Sequence, residues 1–243
     1  MTAPAMPISR SAGCRLGAIL EKAAANSVPS CKSFSLASAP GVTDKVFKIV
    51  CADGSYFEVR FFESDFKHLT GVGSDLGNED FYKNCVKGII STGNIKSNQK
   101  YDWGTLKKKS KKIENIHQLL YKDGQKTILL DTLKTNTYIF PIAIKNEAND
   151  ICIGFVSDIH RARSLRSANN SMEAKREIPI IAIFARKNNS KIFGELIYIS
   201  GVSLLYEKME NILIDMDEKL ENRFLEVITT PTAGRLPVSK DVT

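Results

Sequence analysis

The chain lacks several features that define large classes of protein. It has no run of about 18 uncharged apolar residues, the length that a helix needs to cross a bilayer. Its longest apolar stretches, near Ile178–Phe184 and Leu196–Leu205, are too short or too interrupted. The N-terminal apolar stretch Leu16–Leu20 ends at Glu21, so we expect no secretory signal. The sequence therefore predicts no membrane span and a cytoplasmic protein.

The common signatures of metal and cofactor sites are also missing. The five cysteines form no CxxC pair, which argues against structural zinc and for reduced thiols. There is no phosphate loop, no GxGxxG, no HExxH and no GxSxG. Acidic residues in the centre of the chain are scattered, unlike the paired carboxylates of a two-metal nuclease. We therefore expect no cofactor and no metal, and any phosphodiester chemistry to use histidine, lysine, arginine and hydroxyl groups.

What the chain does have is an uneven positive charge. Residues 1–43 hold 4 basic and 1 acidic residue, residues 202–243 hold 5 and 8, and the middle holds 25 and 18, which is a net +7. Such a basic centre attracts polyanions, although it does not distinguish RNA from DNA. A globular core is expected as well, because 43% of the residues are hydrophobic.

Changes in composition and hydrophobic spacing along the sequence predict four regions. Residues 1–43 are rich in Ala, Ser and Pro and read as a flexible arm, with a pattern that allows a short helix at Cys14–Ala25. Residues 44–201 form a basic α+β domain, residues 202–230 an acidic amphipathic helix centred on Leu204–Ile228, and residues 231–243 a disordered tail.

Within the basic domain, hydrophobic spacing predicts a hairpin, then two helices, then a series of strands. The hairpin joins Val46–Cys51 to Tyr56–Phe62 through Asp53-Gly54. The helices are Phe81–Ile90 and a lysine-rich segment from about Thr105 to Leu120. The later strands are predicted at Thr127–Leu130, Thr137–Ile144, Cys152–Val156, Ile178–Phe184 and Ile192–Ile199. This order predicts an α+β fold in which two or three helices pack on one face of an antiparallel sheet.

His68 is the first candidate for a catalytic residue. Its segment Ser64–Gly71 begins with helix-capping residues and stops at glycine, which is typical of a single helical turn. An imidazole there could exchange a proton with a ribose 2′-hydroxyl or a leaving 5′-oxygen near neutral pH. A structural role, in which His68 caps the turn through a backbone hydrogen bond, fits the sequence as well.

The second candidate is a run of lysines on the predicted second helix. Its members are Lys107, Lys108, Lys109, Lys111 and Lys112. They could form a surface that contacts RNA phosphates, with one lysine at the scissile phosphate, or simply a solvated helix face. Tyr101 and Trp103, just upstream, could stack on unpaired bases or close a core.

The third candidate is the segment Asp158–Ser167, which we predict to be a loop that follows a strand. Arginines in such a loop could bind phosphate bidentately, and a serine hydroxyl could bond a non-bridging oxygen. A flexible basic surface loop is an equal alternative. The residues concerned are Arg161, Arg163, Ser164, Arg166 and Ser167.

The stretch Tyr56–Gly71, which reads YFEVRFFESDFKHLTG, resembles a known motif. Phage- and toxin-associated nucleases of the barnase/EndoU/colicin/RelE-like class carry a strand followed by a phenylalanine, a histidine and LTG. The order of later segments agrees over residues 45–200: a helix beginning Phe81-Tyr82, a lysine-bearing helix, then a strand with Ile153-Gly154-Phe155. The resemblance implies a small α+β domain that cleaves RNA without a metal.

The resemblance also implies roles for particular residues. His68 would be the general base or acid, and Lys112, or Lys111 if the helix is rotated, would stabilise the transition state. Ser164 or Ser167, with Arg163, would occupy a late polar loop. We therefore predict cleavage of single-stranded RNA to a 2′,3′-cyclic phosphate, in a bacterial or phage-infected cell, with the three segments converging on one phosphate.

Two other functions are compatible with the sequence. The chain could be a phage or plasmid factor that uses its basic centre to bind nucleic acid or a host protein without cutting. It could also be a toxin that is inhibited, either by its own acidic helix Leu204–Ile228 or by a cognate immunity protein.

Overall fold

The computed structural model describes residues 42–87, 89–90, 94–96, 101–121, 127–156, 160–168, 172–199 and 209–229. The predicted N-terminal arm, its short helix and the C-terminal tail lie outside these residues. The described chain forms two compact units. We call residues 63–114 the helical unit, and residues 42–62 together with 115–229 the barrel unit.

Within the described residues, eight strands build the barrel unit. They are β1 (Lys45–Cys51), β2 (Tyr56–Arg60), β3 (Thr127–Lys134), β4 (Ile139–Asn146), β5 (Ile151–Val156), β6 (Arg161–Arg166), β7 (Glu173–Lys187) and β8 (Glu195–Ile199). The hairpin of β1 and β2 is as predicted, and Gly54 in its turn has the positive φ, +76°, that favours glycine there.

The sheet closes into a seven-stranded barrel. The strand order is β1-β2-β6-β5-β4-β3-β7, and β1 also pairs with β7, while β8 adds a further strand to β7. Closure depends on the length of β7, whose first half pairs with β3 and whose second half pairs with β1. The seam between β2 and β6 is parallel, with Arg60 opposite Arg161. All other pairs are antiparallel.

The predicted fold class is therefore wrong. The sheet is a closed mixed barrel, not an open antiparallel sheet covered by two or three helices. One cause is the segment Arg161–Arg166, which is a strand where a loop was predicted, because its charged residues hide the buried Ala162 and Leu165. The other cause is that closure joins strands far apart in sequence, which local periodicity does not reveal.

Aromatic rings fill the barrel interior. Phe47 contacts Phe61 and Tyr121 edge-on, with ring centroids 6.2 and 6.0 Å away, and Phe61 contacts Phe155 at 5.8 Å. Tyr121 ends the short helix α4 (Ile116–Tyr121), which therefore packs onto the barrel through this cluster. Such edge-to-face contacts are favourable beyond the area that they bury.

Three predicted helices differ from those in the structure. In the helical unit, α1 spans Phe66–Thr70, α2 spans Asn78–Lys87 and α3 spans Trp103–Glu114. The predicted helix Thr105–Leu120 is divided at Asn115 into α3 and α4. The helix predicted at Phe81–Ile90 begins and ends three residues earlier than predicted. The acidic segment is also divided, into α5 (Met209–Leu213) and α6 (Glu218–Thr229), and its start at 204–208 lies outside the described residues.

The C-terminal helices are part of the barrel unit's core. Ile212, Leu220 and Phe224 are buried in one cluster with Val46 and Phe184, and the rings of Phe184 and Phe224 lie 5.1 Å apart. Val46 and Phe47 are adjacent in β1, so they point to opposite faces, one toward these helices and one toward the interior. The apolar face of α6 therefore covers the outside of the barrel wall.

A buried lysine fixes this contact. The Lys48 ammonium donates hydrogen bonds to the carbonyl oxygens of Ile212, at 3.2 Å, and Ile214, at 2.6 Å. It also lies 4.7 Å from the centre of the Phe193 ring. Burial lowers the pKa of Lys48, and the carbonyls at the end of α5 supply the partners that a buried ammonium needs.

Candidate functional site

The predicted catalytic histidine, His68, lies on a short helical turn whose opposite side is buried. Phe66, Leu69 and Thr70 of α1 are buried, whereas His68 is exposed. The Thr70 hydroxyl donates to the Lys67 carbonyl at 2.7 Å and accepts from the Val72 N–H at 3.1 Å. These bonds fix the turn so that the imidazole faces solvent and is not part of the hydrophobic interior.

The rest of the helical unit supports this turn. The Phe66 ring contacts Phe81 and Tyr82 of α2, at centroid distances of 6.1 and 5.4 Å. The Lys67 ammonium donates to the carbonyls of Ser74 and Leu76, at 2.9 and 2.6 Å, and so ties the following loop to α1. The residue beside His68 is thus a structural lysine, which the sequence did not indicate.

Gly71, the last residue of the HLTG block, brings the turn against the lysine helix. It ends α1 in the left-handed conformation, with φ +72°, and its N–H bonds the carbonyls of Lys67 and His68. A Cβ at this position would lie 3.1 Å from Cδ2 of Tyr101 and 3.3 Å from Cδ of Lys109. The Lys109 ammonium in turn lies 4.5 Å from the Tyr101 ring centre. The structure thus joins two of the three predicted segments.

The lysine helix α3 has a buried stripe and two basic flanks. Its buried residues are Leu106, Ser110 and Ile113. Because a helix turns about 100° per residue, Lys109 and Lys112 share the flank next to Gly71, and Lys107 and Lys111 form the other flank. Lys108 and Lys111 are exposed and the other three are half-buried. The rotation of the helix therefore favours Lys112 over Lys111 as the lysine nearer to the His68 turn.

An aspartate caps the start of α3. The Asp102 carboxylate accepts a hydrogen bond from the Thr105 N–H at 2.6 Å, which holds the pKa of Asp102 below its usual value. Trp103 follows directly as the first residue of the helix. The cap fixes where the helix begins and hence the positions of the lysines that follow.

The third predicted segment belongs to the barrel unit. It is the strand β6, in which a bulge leaves Arg163 without a partner on β5: Ser164 pairs with Gly154 and Ala162 pairs with Phe155. Arg163 is exposed. Bulges re-aim a side chain and are frequent beside active sites, and sequence reasoning did not reveal this one.

Several other side chains of this segment are engaged within the barrel unit. Arg166 donates to the hydroxyls of Ser164, at 3.1 Å, and Thr137, at 2.8 Å, and the Ser167 hydroxyl bonds the Asp150 carboxylate. The Arg161 guanidinium lies over the Phe62 ring, 5.1 Å from its centre. Arg163 is therefore the best placed of these residues to meet a ligand.

The described ranges carry neither a metal cluster nor a membrane-spanning helix. No three His, Cys, Asp or Glu side chains there are grouped as a metal site. No helix among these residues is both long enough and apolar enough to cross a bilayer. The described cysteines, Cys51, Cys85 and Cys152, are buried, and burial raises the pKa of each thiol to about 12.

A family model matches residues 43–221, which include both described units and more than half of the 243 residues. Its description is phage-Barnase-EndoU-ColicinE5/D-RelE like nuclease4. The chain therefore belongs to this family of nucleases, as the resemblance of the Tyr56–Gly71 stretch predicted. No curated protein and no solved structure matches the chain.

Proposed function

We propose that this nuclease is a metal-independent endoribonuclease that cleaves single-stranded RNA by attack of the ribose 2′-hydroxyl. The observation that supports it most is the exposed imidazole of His68, held on a rigid turn beside a lysine-rich helix, in a chain of a nuclease family. Cleavage of this kind needs proton transfer and stabilisation of charge on phosphorus, and both can come from side chains.

His68 is the proposed proton-transfer residue. In the reaction the 2′-oxygen forms a bond to phosphorus and the bond from phosphorus to the 5′-oxygen breaks, which leaves a 2′,3′-cyclic phosphate. A general base takes the proton of the 2′-hydroxyl, and the 5′-oxygen receives a proton. An exposed imidazole can do either, because histidine is the side chain that ordinarily exchanges protons near neutral pH.

Lys112 is the proposed stabiliser of charge in the transition state. It shares a helix flank with Lys109, whose Cδ would lie 3.3 Å from a Cβ at Gly71, the end of the His68 turn. A fixed ammonium near the reacting phosphate stabilises the negative charge that develops there. Lys107, Lys108, Lys109 and Lys111 would then contact neighbouring phosphates, and Trp103 would stack on a base. Tyr101 is a weaker candidate for stacking, since Lys109 lies over its ring.

In the barrel unit, Arg163 and, through hydroxyl groups, Ser164 and Ser167 are proposed to bind RNA phosphate, with Arg161 and Arg166 as further RNA contacts. Arg166 and Ser167 have internal partners, so their contribution would require exchange of those bonds. We place the action of the enzyme in the cytoplasm of a bacterial or phage-infected cell, where RNA is available.

Regulation by the C-terminal helices or by an immunity protein remains part of the proposal. Removal of residues 203–243 is a poor test of self-inhibition, because Ile212, Leu220 and Phe224 belong to the core. Glu210 and Glu218 are exposed, so Glu210→Gln with Glu218→Gln changes the charge alone. A higher cleavage rate in the double variant supports self-inhibition, and an unchanged rate favours a separate inhibitor.

The experiment that tests the function uses two matched substrates. The purified chain is incubated with a single-stranded RNA of mixed sequence and with the same strand carrying 2′-deoxyribose throughout, both in the presence of EDTA. We expect cleavage of the RNA alone, with 2′,3′-cyclic phosphate ends. Cleavage of both strands would overturn the 2′-hydroxyl mechanism, and binding without cleavage would favour the non-catalytic alternative.

A further inference from the structure

An exposed aromatic residue, Tyr138, lies on the turn between β3 and β4. It is 51% exposed. Its carbonyl oxygen accepts the Thr135 N–H at 2.9 Å and the Thr135 hydroxyl at 2.7 Å, and its own N–H donates to the Thr135 hydroxyl oxygen at 3.1 Å. The centroid of its ring lies 4.7 Å from that of the buried Phe140 ring. Backbone and ring are thus both held, while half of the residue faces solvent.

Phe140 determines where this turn lies on the barrel unit. A Cβ at Gly154 of β5 would be 2.7 Å from Cγ of Phe140, so the Phe140 ring occupies the space that a side chain at position 154 would fill. Ser164 of β6 is paired with Gly154, so the Ser164 side chain lies on that same face of the sheet. The turn that carries Tyr138 therefore covers the face on which Ser164 lies.

A guanidinium is bonded to this turn. Nε of Arg166 donates to the Ser164 hydroxyl at 3.1 Å, and Nη2 donates to the hydroxyl of Thr137, the residue before Tyr138, at 2.8 Å. A second contact, independent of Phe140, thus brings the turn and β6 together. The Thr137 hydroxyl oxygen also marks a position beside Tyr138 at which a hydrogen-bond acceptor meets Arg166.

Packing accounts for Phe140 better than for Tyr138. Phe140 is 2% exposed and belongs to a small hydrophobic cluster, whereas Tyr138 keeps half of its surface in contact with water. A rigidly held, exposed ring beside an arginine fits a nucleotide. An unpaired base stacks on an aromatic ring, and a phosphate binds a guanidinium through charge-assisted hydrogen bonds.

We infer that Tyr138 and Arg166 form a nucleotide-binding site within the barrel unit. An unpaired base of single-stranded RNA stacks on the Tyr138 ring, and the phosphate of that nucleotide replaces the Thr137 hydroxyl as the acceptor for Nη2 of Arg166. The inference goes beyond the proposed function, which names no base contact in this unit, and rests on it for the identity of the ligand. Since every base has a π face, the contact supplies affinity for unpaired RNA without selecting a base sequence.

Binding of a strand that cannot be cleaved tests this site. The probe is a labelled single-stranded RNA of mixed sequence in which every ribose is 2′-O-methylated, and the comparison strand has the same backbone and length but no bases. Fluorescence anisotropy in EDTA at fixed ionic strength gives the dissociation constants of the unchanged protein, Tyr138→Ala, Tyr138→Phe and Ile139→Ala. Ile139 is the matched control, because it is the next residue and is 56% exposed but has no aromatic ring. Cleavage of the unmethylated strand is measured alongside.

We expect Tyr138→Ala to bind the strand with bases about 10-fold more weakly, an ordinary loss for one stacked base, and to bind the strand without bases as the unchanged protein does. Tyr138→Phe keeps the ring, so it should bind both strands normally, and so should Ile139→Ala. Equal weakening of both strands in Tyr138→Ala would mean that Tyr138 acts through the structure of the turn, and the stacking role would be overturned.

The cleavage assay separates this inference from the proposed function. Normal binding by Tyr138→Ala, while the unchanged protein cleaves RNA, would overturn the nucleotide-binding site and leave the proposed function intact. A base-dependent loss of binding, in a protein that binds RNA without cleaving it, would support the site and overturn the endoribonuclease. An unchanged protein that binds neither strand and cleaves no RNA would overturn both.

Discussion

Gly71 lies against the ring of Tyr101, so closely that a Cβ at position 71 would be 3.1 Å from Cδ2 of that ring. The contact explains why the HLTG block ends in glycine. The backbone needs a left-handed conformation there, with φ +72°, and the lysine helix needs room to approach the histidine turn. A glycine that the fold requires thus brings the His68 turn and the lysine helix together.

The first prediction concerns this glycine. Gly71→Ala places a side chain at a positive φ and against Tyr101, so it should lower the free energy of unfolding by about 1 to 2 kcal/mol. Gly194→Ala is the matched control, because nothing lies within 4 Å of a Cβ at that position. Urea unfolding measures both. Equal stability of the two variants would show that neither the positive φ nor the close approach at Gly71 affects the free energy of unfolding.

A second prediction separates the two flanks of the lysine helix. Lys112→Ala should slow RNA cleavage by about 10²-fold, the usual effect of losing one fixed charge in a transition state. Lys111→Ala removes the same charge from the other flank of the same helix and should change the rate much less. Single-turnover rates at fixed ionic strength provide the comparison. The opposite order would transfer the catalytic role to Lys111.

The third prediction concerns the C-terminal helices. Phe224 is fully buried and packs on Phe184, so Phe224→Ala should destabilise the barrel unit by about 3 to 5 kcal/mol. Asn222→Ala, at an exposed position of the same helix, should have little effect. Thermal unfolding measures both. A small effect at Phe224 would mean that the helix is only loosely attached and that its removal is a usable test of self-inhibition.

The fourth prediction is a dependence of stability on pH. Burial alone would raise the pKa of Asp131, but hydrogen bonds from Thr132 and Arg176 outweigh it and hold the pKa below the ordinary 3.8. Since the folded pKa is below the unfolded one, the contribution is present above pH 3.8 and is lost as the pH falls through the folded pKa.

Asp131→Asn should therefore reduce stability at pH 7 by about 1 kcal/mol or less, because Arg176 is largely exposed. The difference from the unchanged protein should shrink as the pH falls below 3.8. Urea unfolding at pH 7, 4.5 and 3 measures it. A difference that is the same at all three values would mean that the carboxylate charge is not what stabilises this contact.

Local features of the fold were predictable from sequence, and long-range ones were not. Asp53-Gly54 marked the first hairpin, and the spacing of Leu106 and Ile113 marked the lysine helix. Arg161–Arg166 was not recognised as a strand, because a charged strand with a bulge does not alternate regularly. Closure of the barrel was hidden for a different reason: it requires β7 to pair with both β3 and β1, and no local pattern records that.

For the candidate site, too, local features were predictable from the sequence and long-range contacts were not. The resemblance of the Tyr56–Gly71 stretch predicted the nuclease family. The sequence left Lys111 and Lys112 as alternatives, and the structure shows which flank of the lysine helix lies next to Gly71. The close approach of Lys109 to Gly71 joins residues that are far apart in sequence, and the bulge at Arg163 depends on strand register. Such relationships appear only in the three-dimensional structure.

The measurement that tests the account most directly is the single-turnover rate of RNA cleavage by His68→Ala, compared with the unchanged protein at pH 7 in EDTA. His68 is exposed, so the substitution should leave stability nearly unchanged. We predict a rate lower by about 10²-fold or more, with less 2′,3′-cyclic product. A folded variant that cleaves as fast as the unchanged protein would contradict the assignment of His68 as a catalytic residue.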